Sequence, residues 1–237
     1  MWFHNDSVLE LILYLVSPTL IWFLFCLWWD RKRPEPNRQI IRTFLLGGLV
    51  AGFLVFINVP LTEFVKEFFF MPTILMIFVL SFFVDALIEE FGKLICFRLN
   101  IYGLRSFEEP LDGMIYGLIL GLGFAFTENL FYALAIKDIE LAKQIIFLRG
   151  FTATLMHFIA GGIIGYYFAL AKFRFGGSPL LIFQGFFLAF LFHGFYNTLS
   201  RLNLTNVYLF LAILLVAIFI VMYRGILRLR KIENSTS

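Results

Sequence analysis

Long apolar runs dominate the pattern of this chain, and only short polar stretches separate them. A helix that crosses a membrane needs about 20 predominantly apolar residues. Seven segments meet this requirement: 8–29, 40–60, 73–98, 111–135, 147–171, 178–200 and 204–223. The runs do not alternate between apolar and polar positions, which argues against a transmembrane barrel. We therefore predict an all-α membrane bundle of about seven transmembrane helices, which forms a single integral-membrane domain over residues 1–237.

The composition supports this prediction. Of the 237 residues, 61% are hydrophobic and 15% are charged, whereas soluble domains average about 45–50% and about 25%. The net charge of +3 does not indicate nucleic-acid binding, because the basic residues cluster beside the apolar segments. The expected surroundings are a lipid bilayer. Cys26 and Cys96 both fall in apolar segments, which is typical of packing residues.

The basic residues of the short loops predict the orientation of the chain. With the N-terminus outside and the C-terminus inside, thirteen Lys and Arg residues lie on the inner side and five on the outer side. The outer five are Lys66, Lys137, Lys143, Arg149 and Arg201.

The third apolar segment carries four ionisable residues where lipid is expected. Asp85, Glu89, Glu90 and Lys93 follow a stretch without charge, 68–84. Each charge at mid-membrane costs about 2.5–3.5 kcal/mol even on the lenient insertion scale. On a helix, Asp85, Glu89 and Lys93 form one stripe, which favours a Glu89–Lys93 pair, although Lys93 also reaches Glu90. The alternative is a helix that ends before these charges and leaves them at the interface.

The next three segments contribute further polar residues. Glu128 lies in the fourth segment without a charged neighbour close in sequence. His157 lies in the fifth, and His193 and Asn197 lie four residues apart on one face of the sixth. A linear count places Glu90 towards the inner half of the membrane and the other groups at mid-membrane or in its outer half. The pattern predicts an off-centre polar cavity that is open to water.

These residue types indicate hydrolytic chemistry. Histidine and carboxylate ligands from separate helices, with one open position, are typical of catalytic zinc. Such a zinc ion makes its bound water a nucleophile at neutral pH. A second carboxylate acts as general base, and an Asn amide stabilises the oxyanion of the tetrahedral intermediate.

Four short motifs occur in order over about 80–200: Glu89-Glu90-x-x-Lys93, Phe124-x-x-x-Glu128, His157 and His193-x-x-x-Asn197. This arrangement resembles the PrsW intramembrane proteases, which share a wider clan with CAAX-prenyl endoproteases and bacteriocin-immunity relatives. The resemblance implies that residues 80–200 form the catalytic core. It also implies an endopeptidase in the bacterial cytoplasmic membrane that cleaves a membrane-anchored, single-span protein such as an anti-sigma factor.

The resemblance implies a role for each motif residue. Glu89 or Glu90 would activate the water, and Lys93 would balance their charge. Asn197 would be the oxyanion donor. The metal ligands would be Glu128, His157 and His193. Zinc is the expected cofactor, and a water activated by glutamate between the two histidines, without metal, remains an alternative.

Two other functions remain open from the residues alone. Intramembrane carboxylates and histidines also relay protons in proton- or cation-coupled transporters. The chain shows no repeated halves of the kind that many transporters have. A non-catalytic clan member, acting in immunity or as a scaffold, would keep the same polar core. Asp85 lies outside the motifs, and its role is open.

Overall fold

The fold is an all-α bundle, as predicted. The structure, a computed structural model, describes residues 5–202 and single positions between 213 and 228. The described residues form no strand. In chain order the helices are α1 (Asn5–Trp29), α2 (Asn37–Phe68), α3 (Thr73–Val79), a π-helical segment (Leu80–Ala86), α4 (Leu87–Asn100), α5 (Pro110–Ala135), α6 (Ile139–Phe151), α7 (Ala153–Arg174) and α8 (Pro179–Arg201).

Five helical stretches are long and apolar enough to cross a membrane: 7–29, 37–68, 110–135, 139–174 and 179–201. The predicted segment 73–98 is also helical, but its geometry changes from α to π and back to α. The predicted segment 204–223 lies largely outside the described residues. An integral-membrane bundle is therefore confirmed, and the count of seven spans stays a prediction.

Helix α5 is the centre of the bundle and packs closely against α7 and α2. Glycines make this approach possible. A Cβ atom at Gly117 would overlap the carbonyl oxygen of Gly161. A Cβ atom at Gly121 would overlap the carbonyl oxygen of His157. Small residues of this kind let membrane helices pack with their backbones in contact. The close approach places His157 of α7 directly beside α5.

Aromatic rings fill the bundle beyond this interface, towards the ends where α4 and α7 finish. The rings of Phe97 and Phe168 stack with their centroids 4.6 Å apart, and Phe107 packs edge-on against Phe97. All three side chains are buried. This half of the bundle is densely packed.

The predicted span 147–171 begins within α6 and continues into α7. The two helices meet at Thr152, whose hydroxyl donates to the Leu148 carbonyl at 2.9 Å and accepts a hydrogen bond from the Tyr196 hydroxyl at 2.9 Å. Threonine hydroxyls that bond the preceding turn compete with the backbone and bend helices. The helix is interrupted at this residue, and α6 packs against α5 and α1.

The link between α1 and α2 is fixed to the start of α5. Glu35 is buried, its backbone N–H donates to Asp30 at 2.7 Å, and its carboxylate accepts a hydrogen bond from the Tyr116 hydroxyl. Arg33 forms an ion pair with Glu109. These contacts hold together the end of the bundle that the charge count assigns to the inner side.

Candidate active site

A cavity of about 620 Å³ brings the predicted polar groups together. Its wall includes residues of α2, the π-helical segment, α4, α5, α6, α7 and α8. It reaches the ends of α2, α5 and α8 at Glu63, Ala135 and Arg201, and it extends inwards to Phe124 and His157. It therefore opens at one end of the bundle.

The charges of the third segment are inside the protein. The helix continues past them to Asn100, so they do not lie at its end. Glu90 and Lys93 are fully buried, and the Lys93 ammonium donates to Glu90 Oε1 at 2.7 Å. The favoured Glu89–Lys93 pair is wrong: Lys93 pairs with Glu90, one turn before it, and Glu89 turns towards α2.

Glu90 also contacts His193. The distance from His193 Nδ1 to Glu90 Oε1 is 2.7 Å, and Asn197 Nδ2 lies 3.0 Å from His193 Nε2. The same amide nitrogen points at Asp85 Oδ2, 3.4 Å away, which agrees with its being the donor. An amide nitrogen only donates, so Nε2 is the acceptor and the ring proton lies on Nδ1, towards Glu90. A carboxylate that holds the far nitrogen of a histidine in this way is typical of metal ligands.

His157 lies between two charged groups. Lys93 Nζ is 2.9 Å from its Nδ1, and Glu128 Oε2 is 2.8 Å from its Nε2. An ammonium group only donates, so Nδ1 accepts and Nε2–H donates to Glu128. The ring centroids of His157 and His193 are 4.9 Å apart. The two histidines, predicted on separate helices, are therefore neighbours.

Glu128 has a partner that is distant in sequence. Arg149 Nη2 lies 2.7 Å from Glu128 Oε2, and Arg149 Nε donates to Asn129 Oδ1 at 2.8 Å. From the sequence, Arg149 was predicted only as a basic residue of an outer loop, so this contact was not expected. The adjacent Asn129, which also donates to Thr154 at 2.9 Å, was the available signal for a polar network at this place.

Glu89 faces the cavity with one free oxygen. Its Oε1 accepts a hydrogen bond from Asn58 Nδ2 at 3.1 Å. Its Oε2 is buried, accepts no hydrogen bond from the described residues, and lies 3.9 Å from His193 Nε2. Asn58 was not among the predicted site residues, although it is the one amide in the segment 40–60.

Three of these side chains could hold a metal ion. Ligand atoms of Glu89, His157 and His193 all lie within 4.8 Å of one another. Two imidazoles and one carboxylate match the donor set of catalytic zinc sites, and the unpartnered Oε2 of Glu89 supplies a donor that nothing else in the described structure uses. Metal binding requires the hydrogen bond of His157 to Lys93 or to Glu128 to give way, and likewise the hydrogen bond from Asn197 to His193 Nε2.

Asp85 belongs to the same network. Its Oδ2 lies 2.6 Å from Arg201 Nη2, and Arg201 Nη1 donates to Ser81 Oγ at 2.9 Å. With the contact to Asn197, Asp85 connects the π-helical segment to the end of α8 and to the amide beside His193.

Comparison with known proteins identifies a family for this chain. Residues 35–223 match the family model described as "PrsW family intramembrane metalloprotease". The chain is 36% identical to Protease PrsW of Oceanobacillus iheyensis over 72% of this chain and 74% of the relative. It is 31% identical to Protease PrsW of Geobacillus kaustophilus over 72% and 70% of the two chains. It is 28% identical to Protease PrsW of Clostridioides difficile over 95% of this chain and 91% of the relative.

A search of solved structures finds no match. The region matched by the family model includes every residue of the polar network, from Asn58 to Arg201. The chain therefore belongs to the PrsW family of intramembrane proteases.

Proposed function

We propose that the protein hydrolyses a peptide bond of a single-span membrane protein within the cavity, with Glu89 as general base and zinc as cofactor. The observation that carries this proposal is the convergence of Glu89, His157 and His193, whose ligand atoms lie within 4.8 Å of one another on three different helices. Bringing two imidazoles and a carboxylate together inside a membrane is costly, and such groups are rarely retained without a function.

The contacts of the two glutamates favour Glu89 over Glu90 as the base. Glu90 is fully buried, and one of its oxygens is already shared by Lys93 and His193. Each glutamate keeps its Oε2 free of hydrogen bonds from the described residues, but only Glu89 contributes to the cavity wall. A general base must be able to contact the water whose proton it takes. Glu90 then balances the charge of Lys93 and orients His193.

The hydrolysis can be written with these side chains. Glu89 takes a proton from a water molecule while the water oxygen attacks the carbonyl carbon of the scissile bond. The carbonyl electron pair moves to its oxygen, which accepts a hydrogen bond from the Asn197 amide. Glu89 then gives the proton to the leaving amine as the C–N bond breaks. His193 stays in one tautomer because Glu90 holds its Nδ1 proton.

Zinc would be held by His157 and His193, and the free Oε2 of Glu89, which converges with their ring nitrogens, would face the water that Glu89 deprotonates. Glu128, the carboxylate expected from the resemblance, lies beside His157 but is paired with Arg149. When bound, zinc supplies Lewis-acid polarisation of the carbonyl group and lowers the pKa of water.

The substrate would present an extended segment to the cavity. A scissile bond inside a helix is engaged in backbone hydrogen bonds, so the segment has to unwind before the water can attack its carbonyl. An opening at the helix ends suits the part of a single-span protein that leaves the membrane. On the predicted orientation this opening faces outwards, and an anti-sigma factor is the substrate that the family resemblance implies.

The test is cleavage of a single-span substrate by the purified protein in liposomes. We expect Glu89→Gln, His157→Ala and His193→Ala each to lower the rate by at least about 100-fold, the usual contribution of a general base or its partners. Glu67→Gln is the matched control, because Glu67 is exposed near the end of α2 and outside the cavity wall. Each variant must unfold at a temperature close to that of the wild type.

Zinc analysis of the same preparations tests whether Glu89 is the base, as proposed, or a third zinc ligand. Loss of zinc together with activity in Glu89→Gln identifies a metal ligand, and loss of activity with zinc retained identifies a base alone. Full activity in chelator without bound metal would remove zinc from the proposal. Cleavage that persists in all three variants, or flux driven by a pH gradient without cleavage, would overturn the protease assignment of these residues.

A further inference from the structure

Arg149 joins three helices beside the cavity. From α6, its Nε donates to Asn129 Oδ1 and its Nη2 donates to Glu128 Oε2, at 2.8 and 2.7 Å. Both acceptors lie on consecutive residues of α5, and Asn129 donates in turn to Thr154 of α7 at 2.9 Å. The guanidinium carbon lies 3.7 Å from the ring centre of Tyr132, which fixes the plane of the group.

The two hydrogen bonds of Arg149 depend on the planar shape of its guanidinium group. A guanidinium group presents several N–H donors in one rigid plane, so it can hold two acceptors in a fixed relation. Its side chain is 17% exposed, and that of Glu128 is 19% exposed. At this depth water competes little with the contact, which is therefore stronger than an ion pair at the surface.

The oxygen that Arg149 holds is also the one that faces His157. Glu128 Oε2 lies 2.7 Å from Arg149 Nη2 and 2.8 Å from His157 Nε2. On the other side of the ring, Lys93 requires Nδ1 to accept. Glu128 and Lys93 together therefore fix the nitrogen that carries the proton, and the place of Glu128 decides the angle of the ring.

We propose that Arg149 is a positioning residue that acts on His157 through Glu128. The proposal rests on the proposed function, since it assigns to His157 a part in the reaction. Arg149 does not have to touch the substrate. A purely structural role, in which Arg149 only attaches α6 to α5, predicts a loss of stability without a specific effect on His157.

Kinetics distinguish the two roles. We expect Arg149→Gln to lower kcat by about 10- to 100-fold with KM changed by less than about two-fold, as is typical when a partner of a site histidine is removed. Arg149→Lys should recover part of the loss, because a lysine keeps the charge but not the two-point contact. Combining Arg149→Gln with Glu128→Gln should cost little more than the larger single effect, because both act through one contact.

Lys143→Gln is the matched control. Lys143 also lies on α6 and attaches it to α1 through Glu10, at 2.6 Å, away from the cavity wall. We expect it to change thermal stability and to leave kcat within about two-fold of the wild type, as for an ordinary partly exposed ion pair. Equal losses of kcat in Lys143→Gln and Arg149→Gln, or effects of Arg149→Gln and Glu128→Gln that multiply, would overturn the proposal.

A measurement without substrate separates this proposal from the proposed function. In ¹⁵N-histidine spectra, assigned with His157→Ala, the wild-type His157 should show one tautomer with the proton on Nε2. Arg149→Gln should shift the Nε2 signal, because Glu128 is no longer held in place as its acceptor, and Lys143→Gln should leave the signals in place. Unchanged signals in Arg149→Gln refute the positioning role. An inactive wild-type protein refutes the proposed function alone.

Discussion

Lys93 is a charged residue buried within an apolar helix bundle. Its ammonium group contacts Glu90 at 2.7 Å and His157 at 2.9 Å, and it lies 4.3 Å from the centre of the Phe124 ring. A buried charge is tolerated when each of its donors has a partner. Here a carboxylate, an imidazole and an aromatic face share the three N–H groups, and two of the partners belong to the proposed site.

Removal of Lys93 is expected to be strongly destabilising. Lys93→Met leaves Glu90 as a buried carboxylate without its cation, a change that typically costs about 3–5 kcal/mol. Thermal unfolding in detergent should show the loss. The double variant Glu90→Gln/Lys93→Met should regain part of it, because neither charge is then left unpaired. A double variant less stable than Lys93→Met would contradict this pairing.

Glu35 gives a prediction outside the membrane-spanning segments. Burial raises the pKa of this carboxyl group above its usual value, even though the Tyr116 hydroxyl donates to it. The folded protein therefore holds the Glu35 proton more tightly than the unfolded chain. It follows that the free energy of unfolding falls as the pH rises through the range above the ordinary glutamate pKa, and is larger on the acid side.

Thermal unfolding between about pH 5 and pH 7 tests this linkage. Glu35→Gln cannot ionise, so its stability should depend less on pH than that of the wild type. The exposed Glu67→Gln serves as control and should keep the wild-type dependence. An equal slope in Glu35→Gln and in the wild type would refute the prediction.

The sequence was sufficient to predict the site residues that lie in short motifs. It was not sufficient for residues whose partners are distant along the chain. Glu90, His157 and His193 stood out because charges and imidazoles are unusual in apolar segments. Arg149 did not, since a basic residue near the end of a span is normally a signal of topology. Its contact with Glu128, 21 residues away, forms only when α6 packs against α5.

At the scale of helices, the contact of α5 with α7 sets the position of His157. Their backbones touch because glycines face each other at Gly117 and Gly161 and because Gly121 lies against the His157 carbonyl group. Any side chain at these positions would push α7 away. The place of the histidine in the cavity therefore depends on residues that have no functional group.

Two glycine substitutions separate packing from helix propensity. Gly117→Ala should destabilise the protein by about 1–3 kcal/mol, because the added Cβ meets the Gly161 carbonyl oxygen. Gly52→Ala in α2 should be neutral or stabilising by up to about 1 kcal/mol, because no other atom lies within 4 Å of its added Cβ. Thermal unfolding compares them. Equal effects of the two substitutions would show that the contact is not tight.

The helices were predictable from apolar length, whereas their local geometry was not. The π-helical segment Leu80–Ala86 is mostly apolar, like the α-helical turns before it, and differs from them by Ser81 and Asp85. Turns of this kind depend on contacts with other helices and often occur at functional sites. Here Asp85 and Ser81 of the segment contact Arg201 of α8. Those contacts form only in the assembled bundle, so the hydrophobic periodicity of the sequence does not predict them.

For the whole molecule, the positions of the basic residues predict that the cavity opens outwards. In a variant without native cysteines, Lys66→Cys should react with a membrane-impermeant thiol reagent added to intact cells. Arg105→Cys should react only after permeabilisation. Both positions are exposed in the structure, so burial does not bias the comparison. The opposite labelling pattern would reverse the orientation.

The one-sided opening of the cavity also has an electrical consequence. A membrane potential falls across the part of a protein that excludes water and ions, here the half closed by α5, α7 and the stacked Phe97 and Phe168 rings. A charge that crosses 100 mV changes its energy by about 2.3 kcal/mol. Glu89 and Glu128 line a cavity open at one end, so they sit near the potential of that aqueous phase. Cleavage should therefore proceed at the same rate in energised and de-energised membranes, which would leave the enzyme working when respiration stops.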